Sequence, residues 1–577
     1  MSEQAVKKST WAALAVFFEH RTLVMLGLGF AAGLPFLLVF DTLSAWLREA
    51  GLELTVIAYF VLATLAHSLK FLWAPLVDRF DLPVLTRLVG HRRSWMLACQ
   101  GVIIFGLWVI SGLDPIANLG LIAVFAVLVA FGSATQDIVI DAWRIEAAGE
   151  ERQGAMAAAY QWGYRLAILT AGVVPLLIAD AVNWNLAYAA MACLMGVGVA
   201  AVLFAPRENP RPIMPPLMPQ DMPYKPREEA VEWAARLALL VVGALAFGSG
   251  FTGQIGLIKG AFGLFGGAGL TTGLEALWAL RPMGVFVQFV FVLLGAGMIV
   301  LAAWTFPGRR TRPGVYFARS YGDPFKDFFT RFAGSAGLIL AMICCYRLSD
   351  FVMNVMNPFY LDLGFDKTRI AEIRKGFGVV MMMVGVFFAG WSIARFGLIK
   401  SLVVGAFCGP LSNLVFAWLA IAGPDWRVFA TAIAVDNITG SFAGTVLIAY
   451  MSSLTSAGFT ATQYALFSSL YALPGKLIAA QSGTIIEGSA RWTEAGGLPA
   501  GLMGLFANLP AQSFAEGAAK ISVSPAALGT GYLIFFFYSC LIGVAGVILA
   551  FIIAHKRAQA AASAQGVGPD PQASPAS

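Results

Sequence analysis

Long apolar runs separated by short polar stretches fill almost the whole chain. Each run approaches the roughly 20 residues that a membrane-crossing helix needs, and none has the two-residue alternation of a barrel strand. The runs predict helices at 22–46, 55–77, 94–112, 117–140, 156–179 and 185–204. A central pair follows at 237–257 and 283–305, then a last set at 333–360, 376–395, 398–422, 428–451, 463–486 and 530–554. The grouping is six, two and six, about 14 in all. The Pro- and Arg-rich stretch 205–235 and the stretch 306–331 flank the central pair and read as one linker interrupted by a helix hairpin. The stretch 487–529 has room for short surface helices. The expected organisation is an N-terminus at 1–21, a six-helix bundle at 22–204, a linker with the inserted pair at 205–332, a second six-helix bundle at 333–554 and a disordered tail at 555–577.

Composition narrows the class. Of 577 residues, 59% are hydrophobic and 12% charged, against about a quarter charged in soluble proteins. Mean hydropathy is +0.77. These values exclude a soluble multidomain enzyme, a disordered chain and a disulfide scaffold. The net charge of +6 comes from basic residues in loops, so no nucleic-acid partner is expected. With the N-terminus placed in the cytoplasm, 24 Lys and Arg fall on the cytoplasmic side, 10 on the other and four inside spans. The positive-inside bias therefore predicts both termini in the cytoplasm, with the first run acting as an uncleaved signal. The six cysteines lie in apolar runs without metal or CxxC spacing, so buried thiols, no metal and no cofactor are expected. No GxSxG or HExxH is present, and an integral-membrane enzyme is disfavoured.

The two six-span sets echo each other. Gly51-Leu52-Glu53-Leu54-Thr55-Val56-Ile57 follows the first span, and Gly364-Phe365-Asp366-Lys367-Thr368-Arg369-Ile370 repeats its pattern 313 residues later. The fourth spans carry Asp137 and Asp436, 299 apart, and the fifth carry Arg165 and Lys476. A six-helix unit duplicated about the membrane normal resembles the major facilitator architecture, in which substrate sits between the halves near mid-membrane. Asp78-Arg79 with Gly90-His91-Arg92-Arg93, and Gly390 with Ala394-Arg395-Phe396-Gly397, are similar to its loop signature. Such charges latch onto helix ends and break on switching, which makes Asp78, Arg79 and Arg395 candidate gating residues. The alternative is that they only set topology.

An ionised side chain at the bilayer centre costs about 2.5–3.5 kcal/mol on insertion scales, so it is retained where it faces a cavity or a partner. The candidates are Asp41, His67, Lys70, Asp137, Asp141, Arg165, Arg347, Asp350, Asp436 and Lys476. Asp137 and Asp141 are four apart on one helix face, where two partly desolvated carboxylates raise each other's proton affinity. They are the candidate proton carriers. Alternatively Asp141 ends the span and Asp137 pairs structurally with Arg165. Lys70 either binds an anionic substrate group or neutralises a span-four carboxylate, and His67 reads as a hydrogen-bonded packing residue. Arg165 is too deep to snorkel and suits a carboxylate of substrate or of Asp137. Arg347 and Asp350 read as a pair, with binding as the alternative. Asp436 and Lys476 can pair across spans, and Asp41 reads as interfacial. Trp46, Trp73, Trp143, Trp162 and Tyr164 read as anchors or packing, or as a stacking surface for a sugar ring.

Six segments resemble, in order, the AmpG muropeptide permease family. They are Gly33-Leu34-Pro35, Lys70-Phe71-Leu72-Trp73-Ala74-Pro75-Leu76-Val77-Asp78-Arg79, Gln136-Asp137-Ile138-Val139-Ile140-Asp141-Ala142-Trp143, Tyr164-Arg165-Leu166, Tyr346-Arg347-Leu348-Ser349-Asp350 and Ala461-Thr462-Gln463-Tyr464-Ala465-Leu466. The resemblance covers roughly 20–205 and 333–486. It implies a major facilitator transporter of a Gram-negative inner membrane that imports anhydromuropeptides, disaccharide-peptide fragments of the cell wall, on the proton gradient for wall recycling. It places the family's transmembrane Asp on Asp137. Lys70, Arg165, Arg347, Gln136, Trp143 and Tyr164 are the substrate-binding candidates. The chain departs from the family at Asp41, in the position of its extra helix pair and in 487–529. The expectation is an all-α integral membrane protein of major facilitator fold, two six-helix bundles with an extra central pair. It would act as a monomer on a small-molecule glycopeptide and protons among membrane lipid, without a cofactor. A proton symporter for another bulky anion, such as a peptide, sugar phosphate or acyl-CoA, is the alternative.

Overall fold

The computed structural model describes residues 15–39, 41–52, 66–67, 70–208, 222–253, 255, 258, 268–280, 283–304, 310–366, 369–370, 372–479 and 481–566. Most of the expected span 55–77 and the side chains of Asp41 and Lys476 lie outside the described residues. Regular structure among the described residues is helical throughout. Twelve helices there are long and apolar enough to cross a membrane, and they coincide with twelve of the expected runs.

The first half contains α1 (His20–Leu38), α2 (Asp41–Glu49), α3 (Ala74–Arg79), α4 (His91–Ser111), α5 (Leu119–Ala147), α6 (Glu150–Ala181), α7 (Trp184–Leu194) and α8 (Gly196–Phe204). The insertion contains α9 (Pro226–Thr252), α10 (Ala268–Ala279) and α11 (Met283–Ala303), and the return linker α12 (Arg312–Phe317) and α13 (Asp323–Arg331). The second half contains α14 (Ala336–Cys345), α15 (Leu348–Phe351), α16 (Met356–Leu363), α17 (Gly378–Phe396), α18 (Leu398–Ala422), α19 (Trp426–Ser453), α20 (Thr460–Ala479), α21 (Ser482–Glu494), α22 (Ala515–Ile521) and α23 (Pro525–Gly566). The expected run 463–486 is thus two helices, α20 and α21. The stretch 487–529 holds a 3-10 helix at Leu498–Phe506 and α22. Helix α23 runs to Gly566 because the Ala-rich start of the expected tail favours helix; residues 567–577 lie outside the described residues.

Apolar residues face every direction on most of these helices, so small residues decide which helices meet closely. A β-carbon at Gly163 would lie 2.0 Å from the Leu26 carbonyl oxygen, and one at Gly29 2.2 Å from that of Tyr160. Helices α1 and α6 therefore cross in backbone contact. The duplication is visible in the chain path. Gly90 (φ 98°, ψ 168°) opens α4, and Gly397 (φ 88°, ψ 159°) opens α18 at the matching place in the second half. That region of conformation space is essentially reserved for glycine.

The apolar cores separate the two ends of the molecule. At one end each half has its own core. One is built around Leu34, Ile103, Val129 and Tyr188, the other around Phe359, Phe416, Phe429 and Phe536. At the opposite end the cores are shared. Ala461 and Ala465 of α20 pack among Met25, Val139 and Trp143 of the first half, and Ala157 of α6 packs with Ile393 and Leu447 of the second. The halves are therefore closed on each other at the shared end and parted at the other.

The central hairpin is peripheral. The span window in α11 is 17% buried against 65% in the first span. Its two helices meet through Gly243 and Gly295, and Arg236 of α9 donates to the carbonyls of Ala302 and Trp304. Helix α9 starts at Pro226, earlier than the apolar run alone indicates. Pro at the first turn, Glu228 and Glu229 near the positive end of the helix, and the Glu232–Arg236 pair at 2.8 Å favour helix there.

Gly163→Ala should force α1 and α6 apart, with a loss of about 1–3 kcal/mol as in other overpacked cores. Gly101→Ala, where nothing lies within 4 Å, should be neutral. Thermal melts of the two variants in detergent check the contrast, and equal melting temperatures would contradict it.

Candidate functional site

Between the halves, toward the end where their cores part, lies a cavity of about 550 Å³. Gln161 and Arg165 line it from α6; Arg347, Asp350 and Asn357 from the α14–α16 segment; Asp436, Asn437 and Gly444 from α19. The expected single helix at 333–360 is broken here. Arg347 sits between α14 and α15 at φ −121°, ψ 23°, and Met353 departs from helical geometry before α16. Non-helical backbone at membrane depth is tolerated where it is buried in protein or lines a polar cavity, and half-helices form the sites of many transporters. The break brings Arg347 and Asp350 together at 2.7 Å, as the spacing led one to expect. Gly444 leaves the room for this, since a β-carbon there would lie 2.9 Å from Nη1 of Arg347.

A third arginine enters from a π-helical turn, Glu372–Phe377, ahead of α17. Arg374 donates to the side-chain oxygen of Asn357 and stands 5.5 Å over the Tyr360 ring. Sequence reasoning placed Arg374 in a loop. The signal available was a basic pair abutting an apolar run, and a π turn, which often marks functional sites, has no sequence signature of its own.

Asp137 and Arg165 do not pair. Lys70 Nζ lies 3.8 Å from Oδ2 of Asp137, and Oδ1 is buried without a hydrogen-bond partner. Arg165 lines the cavity and has no carboxylate partner among the described residues, with Nε buried and unbonded. Asp141 pairs with Arg144 at 3.2 Å. Arg144 is fully buried, donates to Ser452 Oγ at 2.9 Å and lies 5.3 Å over Tyr464, so this pair bridges the halves. Four substrate-binding candidates are placed away from the cavity, Lys70 beside Asp137 being the first. Gln136 donates to the Ala31 carbonyl at 2.8 Å, Trp143 is 2% exposed in the shared core, and Tyr164 packs beside Tyr160. His67 contacts Ser133 Oγ at 3.3 Å, as a packing residue would.

At the shared end, Asp78 is a hub. Nη2 of Arg92 donates to it at 2.8 Å, the amides of Ala461 and Thr462 donate at 3.2 and 2.8 Å, and the Thr462 hydroxyl donates at 2.7 Å. A carboxylate of the first half thus caps the N-terminus of α20 in the second, where the helix dipole favours negative charge. Arg92 is also held by Glu146 at 2.7 Å. Arg79 lies 5.5 Å over Phe459. Arg395 lies 5.8 Å over Phe396 and has no carboxylate partner among the described residues, so the second copy of the loop makes no matching latch there. The loop before α20 is braced by the linker. Asp327 of α13 accepts from Ser456 Oγ, Gln463 Nε2 and Arg331 Nε at 2.8, 2.9 and 2.9 Å. Burial pushes the Asp327 carboxyl up, but those hydrogen bonds and the Arg331 charge outweigh it and hold it below the usual range.

Residues 22–286 match the Major Facilitator Superfamily model. The chain is 26% identical over 475 residues to Putative transporter AmpG 4 of Rickettsia conorii, covering 82% of this chain and 91% of that one. It is 27% identical over 477 residues to the anhydromuropeptide permease of Escherichia coli K12, covering 82% and 76%. Among solved structures, the proton:xylose symporter XylE aligns over 94% of this chain and 95% of its own at 12% identity, with a TM-score of 0.47. This multi-pass membrane protein thus carries a match to the Major Facilitator Superfamily over 22–286 and is similar over four-fifths of its length to the AmpG-like permeases.

Proposed function

We propose that the protein is a proton-coupled importer of anhydromuropeptides, working as a monomer by alternating access in a bacterial inner membrane. The observation that carries this reading is the cavity between the halves, which presents Arg165 without a carboxylate partner among the described residues and is closed at one end by the Asp78 latch. The names of the Rickettsia and Escherichia coli relatives supply the substrate class. The positive-inside bias assigns the latch end and both termini to the cytoplasm. On that orientation the cavity faces the periplasm, ready to load.

Arg165 and Arg347 bind anionic groups of the ligand. Asp137 carries the proton, because its ion pair with Lys70 is long and one of its oxygens has no hydrogen bond. Protonation removes a buried charge and leaves Lys70 without its counter-ion, which shifts the balance between the two states. Asp141 is tied to Arg144 and supports the closed state. Gln136, Trp143 and Tyr164 serve the packing of the first half in this state. Asp78 and Arg79 form the gate: opening to the cytoplasm requires the α20 amides and Arg92 to leave Asp78.

Reconstituted in vesicles, the protein should accumulate a defined disaccharide-peptide wall fragment when a proton gradient is imposed. Asp137→Asn should fold and bind but lose accumulation. Accumulation that persisted without a gradient would sink the coupling, and stronger competition by a sugar phosphate or acyl-CoA would favour a different bulky anion. For the gate, Asp78→Asn breaks a buried ion pair, a change that costs about 3–5 kcal/mol, more than the ~1.4 kcal/mol of a tenfold shift. A cysteine at Ala465, which is 1% exposed in the shared core, should then be labelled from the cytoplasmic side by an impermeant thiol reagent roughly tenfold faster or more. Unchanged labelling would remove Asp78 from the gate.

A further inference from the structure

We propose that the outer face of α13 binds the anionic headgroups of the membrane leaflet at the shared end, and that this binding holds the return linker as a strap across the seam between the halves. The proposal uses neither the cargo nor the proton and stands apart from the transport reading.

Helix α13 has two faces of different chemistry. Phe325 is 42% exposed and Phe329 48%. They stand four residues apart, and each is followed by an exposed polar residue, Lys326 or Thr330. At about 100° per residue these four side chains share an arc of about 140°. The opposite arc faces the protein. Phe328 is buried against Phe332 and Phe467, and Asp327 and the Pro324 carbonyl accept hydrogen bonds from the second half. A lone exposed aromatic needs no explanation. Two on one face of a short helix, beside a lysine, fit a boundary between water and acyl chains.

The position of α13 puts it at such a boundary. It ends at Arg331, and after a turn at Gly334 (φ 77°) the span beginning at Ala336 follows. The helix thus lies level with the start of a membrane-crossing segment, where phenyl rings reach acyl chains and a lysine reaches headgroups. The sign of the charge selects the headgroup. From 310 to 331 the chain has Arg310, Arg312, Arg319, Lys326 and Arg331 against Asp323 and Asp327. Asp327 faces inward, where Arg331, Ser456 and Gln463 hold it. The outer side is therefore positive and complements an anionic leaflet. Rings at this level meet lipid before any soluble partner.

The inner contacts connect this face to the gate. Tyr321, two residues before α13, donates to the Leu72 carbonyl of the first half, and Asp323 lies within electrostatic range of Arg79. Nε2 of Gln463 in the second half donates to the Pro324 carbonyl at 2.8 Å. Gln463 follows Thr462, whose amide and hydroxyl hold Asp78. The segment 321–327 is thus tied to both halves at the seam they close. When the halves part there, one set of ties must break and α13 moves with the half that keeps it. A headgroup on the exposed arc favours the arrangement in which both sets of ties hold that arc toward the leaflet, since a ligand shifts an equilibrium by its differential affinity.

Two measurements on the full-length protein test this. Native mass spectrometry of the detergent-purified protein should show tighter binding of phosphatidylglycerol than of phosphatidylcholine. Lys326→Gln should weaken phosphatidylglycerol binding roughly fivefold, the effect of one basic side chain at a charged surface. Phe325→Ser with Phe329→Ser should weaken it too, and Lys326→Arg should keep it. All three positions are exposed, so the variants should fold. In phosphatidylcholine nanodiscs, adding phosphatidylglycerol should slow thiol labelling of Ala465→Cys roughly fivefold, and Lys326→Gln should remove that slowing. Equal binding of the two lipids, or undiminished binding by Lys326→Gln, overturns headgroup docking. So does displacement of the lipid by glycerol phosphate, which would mark a site for free phosphate. Labelling unchanged by phosphatidylglycerol overturns the strap. Neither readout involves wall-fragment uptake, so failure here leaves the transport reading standing, and lost uptake leaves this proposal standing.

Discussion

A charge taken out of water must find a partner, and this protein meets that constraint in opposite ways at its two ends. At the shared end, buried charges are closely matched. Arg92 lies between Asp78 and Glu146, Arg144 holds Asp141, and Asp78 accepts four hydrogen bonds, three of them from the other half. In the cavity, Arg165, Arg374 and Asp436 have no ion pair within 4 Å among the described residues. The paired end gains rigidity and a definite closed geometry. The unpaired end keeps electrostatic free energy in reserve for a ligand. Alternating access needs that asymmetry, because a site already satisfied by protein groups has nothing further to gain from cargo.

The duplicated architecture makes the asymmetry easy to see, since equivalent positions have been put to different uses. Gly90 and Gly397 retain the same backbone conformation in the two halves. The charged loop beside Gly90 builds the latch, whereas Arg395 only covers Phe396. Asp137 in the first half sits against Lys70 away from the cavity, while Asp436, its counterpart in the repeat, lines it. One bundle supplies Asp78 and the buried Asp137, and the other supplies most of the cavity wall.

Most of the helices were legible in the sequence because hydropathy and length are local properties. The repeat was legible because loop glycines and buried charges recur in order. The Arg347–Asp350 pair followed from helical spacing alone. What escaped was everything set by tertiary approach. Lys70 and Arg165 were both open as partners of Asp137, and the choice of Lys70 depends on how the helices rotate against one another. Arg374 enters the cavity through a π turn that no local pattern announces. Trp143 and Gln136 were candidates because they share a segment with Asp137, yet residues of one helix face different neighbours, and both are absorbed by packing.

The short span of chain from Lys70 to Arg79 joins these observations into a mechanism. Lys70 opens a 3-10 turn, Lys70–Leu72, that leads into α3, and α3 ends on Asp78 and Arg79. The Tyr321 hydroxyl of the return linker donates to the Leu72 carbonyl, so the turn is held from outside as well. On the other side of the contact, α5 carries Asp137 near its middle and Glu146, the second partner of Arg92, near its end. The Lys70–Asp137 pair and the latch are thus built on the same two elements. On the proton-coupled reading proposed above, a proton on Asp137 would weaken the tie between α5 and the Lys70 turn, the two pieces that together hold Arg92 against Asp78. On that reading, a change of charge about 15 Å up α5 from the latch end would reach Asp78 through one short segment, and no longer pathway would be required.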